Sequence, residues 1–326
     1  MAVLNSSNPT LADVQATIGS DQRMMDVINI LMRANPIIQD ATLVEGTEFG
    51  GNKSLQLTGM PSGAFRLYNE GTPIEKATYK QIEDSCGNLE SWSEIDVGVL
   101  EDHPNPAQYR QWQNEAHQEG LSITAEESIF YGDETEDPAG FTGLTPRYNL
   151  TTGETGGQII NAGDASNLAS VWLIDWSPRS CFLFHGRGQQ GGLQIQDLPE
   201  ATKYDGNGNP YRVVGTKFKW NIGLALGDFR YCARICNIDS TAIGTLFVNE
   251  MIDMVNAVPK RGQGLGRRVI YMNKTINAAL EKQIITNDSG SLALPWADWH
   301  GQPVRHFQGI PIVIADALTN DEDAVS

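Results

Sequence analysis

Basic residues are scarce in this chain of 326 residues, which has 23 lysines and arginines against 40 aspartates and glutamates and a formal net charge of −17. A surface of this sign does not attract nucleic acid nonspecifically, and it gains nothing from an anionic membrane. Runs of apolar residues are also short, and none approaches the roughly 20 residues that a membrane helix needs. We therefore expect neither a general nucleic-acid-binding surface nor a membrane partner.

Cysteine is rare as well, and the first 22 residues contain no lysine or arginine. The start of the chain therefore lacks the basic region of a signal peptide. The composition, with 40% apolar residues, still allows a real core, and at roughly 150 residues per domain the length predicts about two domains. The four cysteines form no CxxC pair and no zinc spacing, which indicates reduced thiols in a cytoplasmic product: Cys86, Cys181, Cys232 and Cys236.

Residues 21–35 are predicted to form an amphipathic helix that ends before Pro36. Its methionine-rich face would suit a partner protein as well as an ordinary core. The residues before it are small and polar, so residues 1–42 are predicted to form an N-terminal arm. The apolar residues at helical spacing are Met24, Val27, Ile28 and Leu31, and among them Met24 and Ile28 are candidate assembly contacts.

The strongest local signal is a long helix that begins after His103. Asn105 is typical of an N-cap, and Pro106 is typical of the first helical position. If the helix continues to Tyr131, it is roughly 39 Å long at 1.5 Å per residue. We expect Trp112 and Phe130 to be buried on its packed face.

Residues 43–100 are rich in turn signals and are predicted to form a long β-hairpin with few large apolar residues. Such a hairpin cannot bury much against itself, so it needs another surface to lie on. Charged side chains along it would be costly to bury within one subunit but could pair across a subunit boundary. The candidate assembly contacts in this segment are Arg66, Glu70, Glu75, Lys76 and Lys80.

The remaining two thirds of the chain mixes helices and strands without regular βαβ units, which predicts an α+β fold. Residues 101–150 contain the long helix, and residues 151–326 hold the remaining strands and two further helices. The predicted elements are strands at 170–176, 180–185, 211–226, 229–238, 267–273 and 310–315, and helices at 241–258 and 274–285.

Two glycine-rich segments could in principle bind phosphate groups. Gly186–Gly191 matches GxGxxG after a strand, but the residues that follow are too β-like for the helix that would hold a pyrophosphate. Lys260–Arg268 is the one dense basic segment, and it is interpreted either as an exposed connection or as a polyanion contact. Neither segment has the ending of a phosphate-binding P-loop.

Other candidate sites are favoured less than structural roles. Asp205, Asn207 and Asn209 have the spacing that opens a calcium loop, but Thr216 stands where the bidentate glutamate belongs. Cys232 and Cys236 should share one face of a strand and are interpreted as core residues. The sequence contains no HExxH, GxSxG or Cys-His signature. We therefore predict no enzyme activity, no cofactor and no metal site.

Several segments resemble, in the same order, a block in the major capsid proteins of tailed bacteriophages. The resemblance covers roughly residues 20–316, and its central block is the more specific part. The segments are Phe141–Leu144, Gly192–Leu198, Asp205–Tyr211, Lys219–Leu224 and Asp228–Asp239, together with the charged arm from Arg66 to Ile82.

The resemblance implies the Hong Kong 97-type capsid fold. That fold has an N-terminal arm (here 1–42), an extended β-hairpin called the E-loop (43–100) and a peripheral domain with a long spine helix (101–150). Its axial domain, with remaining peripheral strands, would fall in 151–326. Some members cross-link an E-loop lysine to a neighbouring asparagine, but no motif marks a reactive lysine in this chain.

The implied function is that of a coat subunit that self-assembles into hexamers and pentamers of an icosahedral virion head. Packaged double-stranded DNA would lie inside without sequence-specific contacts, and portal, scaffolding and decoration proteins would be partners. Assembly would take place in the host cytoplasm. Two alternatives stay open: an encapsulin-type nanocompartment shell, and a nucleotide-dependent enzyme that uses Gly186–Gly191.

We expect calorimetry to detect no binding of NAD, ATP or flavin, because no helix follows Gly186–Gly191 to hold a phosphate. Stoichiometric micromolar binding that disappears in the Gly188→Ala variant would contradict this expectation.

Overall fold

The structure is a computed structural model, and it describes residues 36–163, 167–240, 247–259, 266–286, 296–299 and 302–325. Five helices lie in these ranges, of which the first two are short. They are α1 (Ile37–Asp40), α2 (Val97–Glu101), α3 (Pro106–Tyr131), α4 (Phe247–Ala257) and α5 (Lys274–Thr286).

The same ranges contain fifteen β-strands. The first nine are β1 (Leu43–Glu45), β2 (Gly51–Gly59), β3 (Thr78–Ser85), β4 (Gly87–Asp96), β5 (Ile159–Asn161), β6 (Leu168–Trp176), β7 (Cys181–His185), β8 (Leu193–Asp197) and β9 (Ala201–Tyr204). The other six are β10 (Pro210–Leu226), β11 (Cys232–Asp239), β12 (Arg267–Met272), β13 (Trp296–Trp299), β14 (Gln302–Phe307) and β15 (Ile310–Ile314).

Within the described residues, thirteen strands join one mixed sheet, whose main path runs β13-β14-β15-β12-β6-β7-β10-β4. Strands β12 and β15 pair in parallel, whereas β6 and β12 pair antiparallel. Strands β2 and β3 form a separate antiparallel pair. The interspersed helices and mixed pairing confirm the predicted α+β class.

Strand β6 lies at the centre of the core, and all nine of its residues are buried. Its alternating side chains enter two clusters, because successive residues of a strand point to opposite faces. Trp172 and its neighbours on one face pack with Ile129 and Phe130 of α3. Leu173 on the other face shares a cluster with Met251 of α4 and Ile276 of α5. Helices therefore cover β6 on both faces.

Strand β10 is 17 residues long and connects this core to the rest of the subunit. Its last four residues pair with β7, whereas earlier residues pair with β8 and β9. On its other edge it pairs with β4 from Val213 opposite Asp96 to Ile222 opposite Gly87. Its burial is alternating at first and complete at the end, so one strand passes from a surface layer into the core.

Helix α3 has the bounds that the sequence predicted. The side chain of Asn105 accepts a hydrogen bond from the backbone N–H of Gln108, and Pro106 begins the helix. Phe130 is buried as predicted, but Trp112 is only half-buried, so the prediction of a buried Trp112 is wrong. The C-terminal half of α3 is covered by the core, whereas in the N-terminal half only Tyr109 is buried.

The predicted hairpin over residues 43–100 is shorter in the structure. Strands β2 and β3 form a hairpin over residues 51–85, whereas β1 pairs with β7 and β4 pairs with β10 in the large sheet. The wider prediction is wrong because the partner of β4 lies more than a hundred residues later in the chain.

The other predicted strands agree with the structure to within a few residues, with one exception. Phe229–Tyr231 forms a 3-10 turn, and the strand predicted there begins only at Cys232. The helix predicted after Ser240 is described from Phe247 onward. The predicted helix over 21–35 lies outside the described residues.

A buried ion pair fastens the C-terminal segment to the core. Arg234 of β11 contacts Glu322 at 2.8 Å, and both side chains are almost fully buried. The Arg234 guanidinium also donates to the Ser170 hydroxyl and to the Tyr148 carbonyl. Tyr131 at the end of α3 donates to the other oxygen of Glu322 at 2.6 Å. Every charge that the fold buries here therefore has a partner.

We expect His117 of α3 to make the stability of the subunit depend on pH. Its ring stacks on Phe218, and its Nδ1 lies 2.8 Å from the Ser91 hydroxyl. Burial lowers the pKa of His117 below its ordinary value of about 6.5. The unfolded chain then binds the proton more readily, so this contribution is present above about pH 6.5 and is lost as the pH falls. Urea unfolding should show that the free energy of unfolding falls less between pH 7.5 and pH 5.5 in His117→Gln than in the parent. An equal fall in the two proteins would contradict this.

Candidate assembly surface

The connection between β2 and β3, residues 60–77, is the most exposed part of the described chain and is called the tip here. Phe65 and Ile74 are fully exposed, and Tyr68 is 95% exposed. The prediction that this hairpin is poor in large apolar residues is therefore wrong at the tip. Further exposed apolar side chains on the tip and its strands are Leu55, Leu57, Met60, Leu67 and Tyr79. A cluster of this kind on one projection is typical of an interaction site.

The charged candidates of the hairpin divide into two groups. Glu75 accepts hydrogen bonds from the backbone N–H and the hydroxyl of Ser62, which closes the tip at its root. Lys80 pairs with Glu154 of the same subunit at 2.9 Å. These two candidates therefore have partners within the subunit.

The other charged candidates are Arg66, Glu70 and Lys76, all of which are exposed on the tip. Their side chains have no ion-pair partner within the part of the chain that the structure describes. Met24 and Ile28, the remaining candidates, lie outside the described residues. The structure thus brings the exposed charges and the exposed apolar residues together on one loop.

The base of the hairpin is fixed to the body by buried polar contacts. Arg147 contacts Asp84 of β3 at 2.6 Å, and the Asp84 side chain is almost fully buried. The same guanidinium donates to the carbonyls of Thr142 and Leu224. Burial raises the pKa of Asp84 although the Arg147 charge opposes this. In β2, the Gln56 amide donates to the Leu226 carbonyl at 3.0 Å. The direction in which the hairpin leaves the body is therefore set by contacts with little freedom.

The structure gives a packing reason for the glycines of Gly186–Gly191. A Cβ on Gly186 would lie 2.0 Å from the carbonyl oxygen of Phe49, so the root of the hairpin excludes any larger residue there. Gly188 has a φ of +74°, which favours glycine. Strand β8 follows this loop, as expected, so the chain offers no helix N-terminus directly after it to hold a phosphate.

Two arginines of the basic segment Lys260–Arg268 form ion pairs within the subunit. Arg267 contacts Asp40 at 2.5 Å, and Arg268 contacts Asp175 at 2.9 Å. Both carboxylates are buried. Residues 260–265 lie outside the described ranges, so only the end of this segment can be placed. The described arginines serve the core and are not free for a polyanion.

The possible metal sites take the structural roles that the sequence favoured. Asp205 accepts hydrogen bonds from the backbone N–H groups of Asn207 and Asn209, which lowers its pKa and closes its own turn. Cys232 and Cys236 are buried in the same core cluster. In the described ranges, no three histidine, cysteine, aspartate or glutamate side chains are grouped as a metal site would need. No described helix is long and apolar enough to cross a bilayer.

We expect the Arg147→Met variant to loosen the hairpin far more than Lys80→Met does. Removing Arg147 leaves Asp84 buried without its counter-charge, which costs about 3–5 kcal/mol. The exposed pair of Lys80 with Glu154 contributes about 0.2–1 kcal/mol and is the matched control. Hydrogen exchange of the amides in β2 and β3 would report the loosening, and urea unfolding would report the effect on the whole subunit. Equal exchange rates in the two variants would contradict the assigned role of Arg147.

Solved structures similar to this chain are phage capsid proteins and related shells. A structure of bacteriophage Epsilon15 is similar over 100% of this chain and 99% of that chain, with 26% identity and a TM-score of 0.75. The bacteriophage JBD30 capsid matches 89% of this chain and 93% of that chain, with 14% identity and a TM-score of 0.49. The SrpI encapsulin complex of Synechococcus elongatus matches 71% of this chain and 96% of that chain, with 10% identity and a TM-score of 0.45. The last two similarities are too low to support an argument.

No curated protein matches this chain. The sequence family described as major capsid protein GP7 matches residues 19–326, which is nearly the whole chain. This match agrees with the full-length similarity to the Epsilon15 structure and with the α+β fold described above. The chain therefore belongs to the major capsid protein family GP7, and it is a structural protein of a bacteriophage capsid.

Proposed function

We propose that this capsid protein forms hexamers and pentamers of an icosahedral head, and that the hairpin of β2 and β3 lies over a neighbouring subunit in each of them. The observation that carries the proposal is the tip, on which Phe65, Tyr68 and Ile74 are almost fully exposed. A single subunit gains nothing from holding these side chains in water. A neighbour that covers them removes their apolar surface from water, which favours association.

The magnitudes favour a closed assembly over an isolated pair of subunits. Burying one large apolar side chain contributes about 1.5–3 kcal/mol, so the three tip residues contribute about 5–9 kcal/mol. Bringing two proteins together costs an estimated 4–15 kcal/mol in lost freedom. One tip interface therefore barely balances its cost. In a closed ring each subunit donates its own tip and also receives the tip of a neighbour, so every subunit takes part in two such interfaces.

The exposed charges of the tip would select the docking position. Arg66, Glu70 and Lys76 carry both signs and have no ion-pair partner within the described part of the subunit. Opposite charges on the neighbour would favour one docking position and disfavour shifted positions. The apolar residues would then supply affinity and the charges specificity.

The charge of the chain supports a shell around packaged double-stranded DNA. A net charge of −17 disfavours adhesion of DNA to the inner surface. The described arginines of the basic segment, Arg267 and Arg268, are paired internally with Asp40 and Asp175. We therefore propose that DNA is enclosed without sequence-specific contacts. In this proposal the subunit has no catalytic centre and needs no cofactor.

The family supports further proposals about assembly and domain organisation. Assembly takes place in the host cytoplasm, with portal, scaffolding and decoration proteins as partners. Residues 1–42 serve as the N-terminal arm, and α3 serves as the spine helix of a peripheral domain. The later strands then form the axial domain and the rest of the peripheral domain.

Purified particles should contain DNA, whereas protein cargo without DNA would favour a nanocompartment.

The decisive experiment removes the apolar tip and leaves the core intact. Deleting the whole hairpin as far as β4 would damage the fold, because β4 is paired with β10 in the large sheet. We therefore choose the triple variant Phe65→Ser, Tyr68→Ser and Ile74→Ser. The matched control is Leu150→Ser, Ile195→Ser and Tyr204→Ser, because these residues are also exposed but lie away from the tip.

We expect both triple variants to unfold at the temperature of the parent, since all six side chains are exposed in the subunit. The tip variant should fail to form shells in sedimentation and electron microscopy, whereas the control should assemble. Normal shells from the tip variant would show that the tip is dispensable. A lowered unfolding temperature in the tip variant alone would show that it serves its own core.

A further inference from the structure

An apolar groove of about 560 Å³ lies beside the middle of α3. This volume is within the range of sites that bury a ligand or a group of side chains. Gln118, Glu119 and Ser122 of α3 form its polar rim. Apolar side chains of four strands form much of the remaining wall: Leu43, Leu183, Leu193, Trp220 and Ile222.

One buried donor in the wall lacks an acceptor within the described ranges. Trp220 is only 7% exposed, and its indole N–H has no hydrogen-bond partner among the residues that the structure describes. A buried donor without an acceptor is destabilising, so such groups are normally satisfied. An occupant that brings a carbonyl or amide oxygen next to Trp220 would remove this cost.

The described chain begins at the mouth of this groove. Ile38 and Ala41, in and just after α1, are part of its lining. Ile37 is fully buried in the core, and Asp40 is held by Arg267 and by the Tyr271 hydroxyl. The point at which residues 1–35 join the body is therefore fixed beside the groove. A segment attached by so short a connection has an effective concentration near the groove of roughly millimolar.

We propose that residues 21–35 of the same chain dock in this groove as an amphipathic helix. Met24, Val27, Ile28 and Leu31 have the i, i+3, i+4, i+7 spacing of the anchors with which a helix fills an apolar groove. This is the proposed role of Met24 and Ile28. At 1.5 Å per residue such a helix is about 22 Å long, enough to run alongside the middle of α3.

The segment carries no net charge, because its two arginines are matched by two aspartates, so charge does not oppose docking beside Glu119 on the rim of the groove. Asn35 of the segment offers an amide oxygen to the Trp220 N–H. The rival occupant is the tip of a second copy, which is also apolar but is not tethered at the groove. The proposal does not depend on the proposed role of the tip.

The test measures how well the full-length chain shields the groove. Ser122→Cys places a thiol on the rim, in a Cys86→Ser background that removes the one cysteine not buried in the subunit. Ile28→Asp should expel the segment and speed the reaction of this thiol with a maleimide about tenfold, as expected for a loss of about tenfold in occupancy. Asn29→Asp adds the same charge on the polar face and should leave the rate unchanged. Gln118→Cys replaces Ser122→Cys if that variant does not fold.

Two outcomes would overturn the proposal. One is equal labelling rates in Ile28→Asp and the parent. The other is a faster rate in Phe65→Asp instead, which would assign the groove to the tip of a second copy. Oxidation of a Leu31→Cys and Ser122→Cys pair should give a cross-linked monomer, whereas a covalent dimer would contradict docking within the same chain.

Discussion

The ladder of strand β10 is the constraint on which the other parts of the subunit depend. Its 17 residues pair with β4 along one edge and with β9, β8 and β7 in succession along the other. These partners come from distant positions before it in the chain as well as from the strand just before it, so the ladder can form only when distant segments meet. Once formed, it joins the buried core around β6 to the more exposed strands β4, β8 and β9.

The body and the hairpin differ in how they treat side chains that are unfavourable in their surroundings. The body pairs charges that it buries, as Arg234 with Glu322 and Arg147 with Asp84 show. The tip leaves Phe65 and Ile74 in water although they are among its most apolar residues. A fixed base with an uncovered apolar end suits a contact that another molecule completes.

The parts of the structure that local signals determine were predictable from sequence. Asn105 and Pro106 fix the start of α3, and the predicted end at Tyr131 is correct. The Asp205 turn follows from its own glycines and asparagines. The class of fold could also be inferred, from the mixture of helices and strands and from the family resemblance.

The parts that depend on distant partners were not predictable. The extent of the hairpin was overestimated because no local signal in the sequence of β4 identifies β10 as its partner. Likewise, the half-burial of Trp112 depends on how far α3 extends beyond the core. The pairing of Lys80 with Glu154 was missed for the same reason, since the two residues are far apart in sequence. The exposed apolar side chains of the tip, Phe65, Tyr68 and Ile74, were missed because the whole segment was interpreted as poor in large apolar residues.

The fixed base of the hairpin has a consequence for the symmetry of the shell. In the proposed assembly the tip of one subunit meets a different surface on the next, so the contact is heterologous and could generate either a closed ring or an open helical filament. The rotation between successive subunits decides which one forms. That rotation depends on the angle at which the hairpin leaves the body. The contacts of Gln56, Asp84 and Arg147 help to set this angle. A few buried polar contacts inside one subunit thus help to decide whether the lattice curves into a closed polyhedron or extends into a tube.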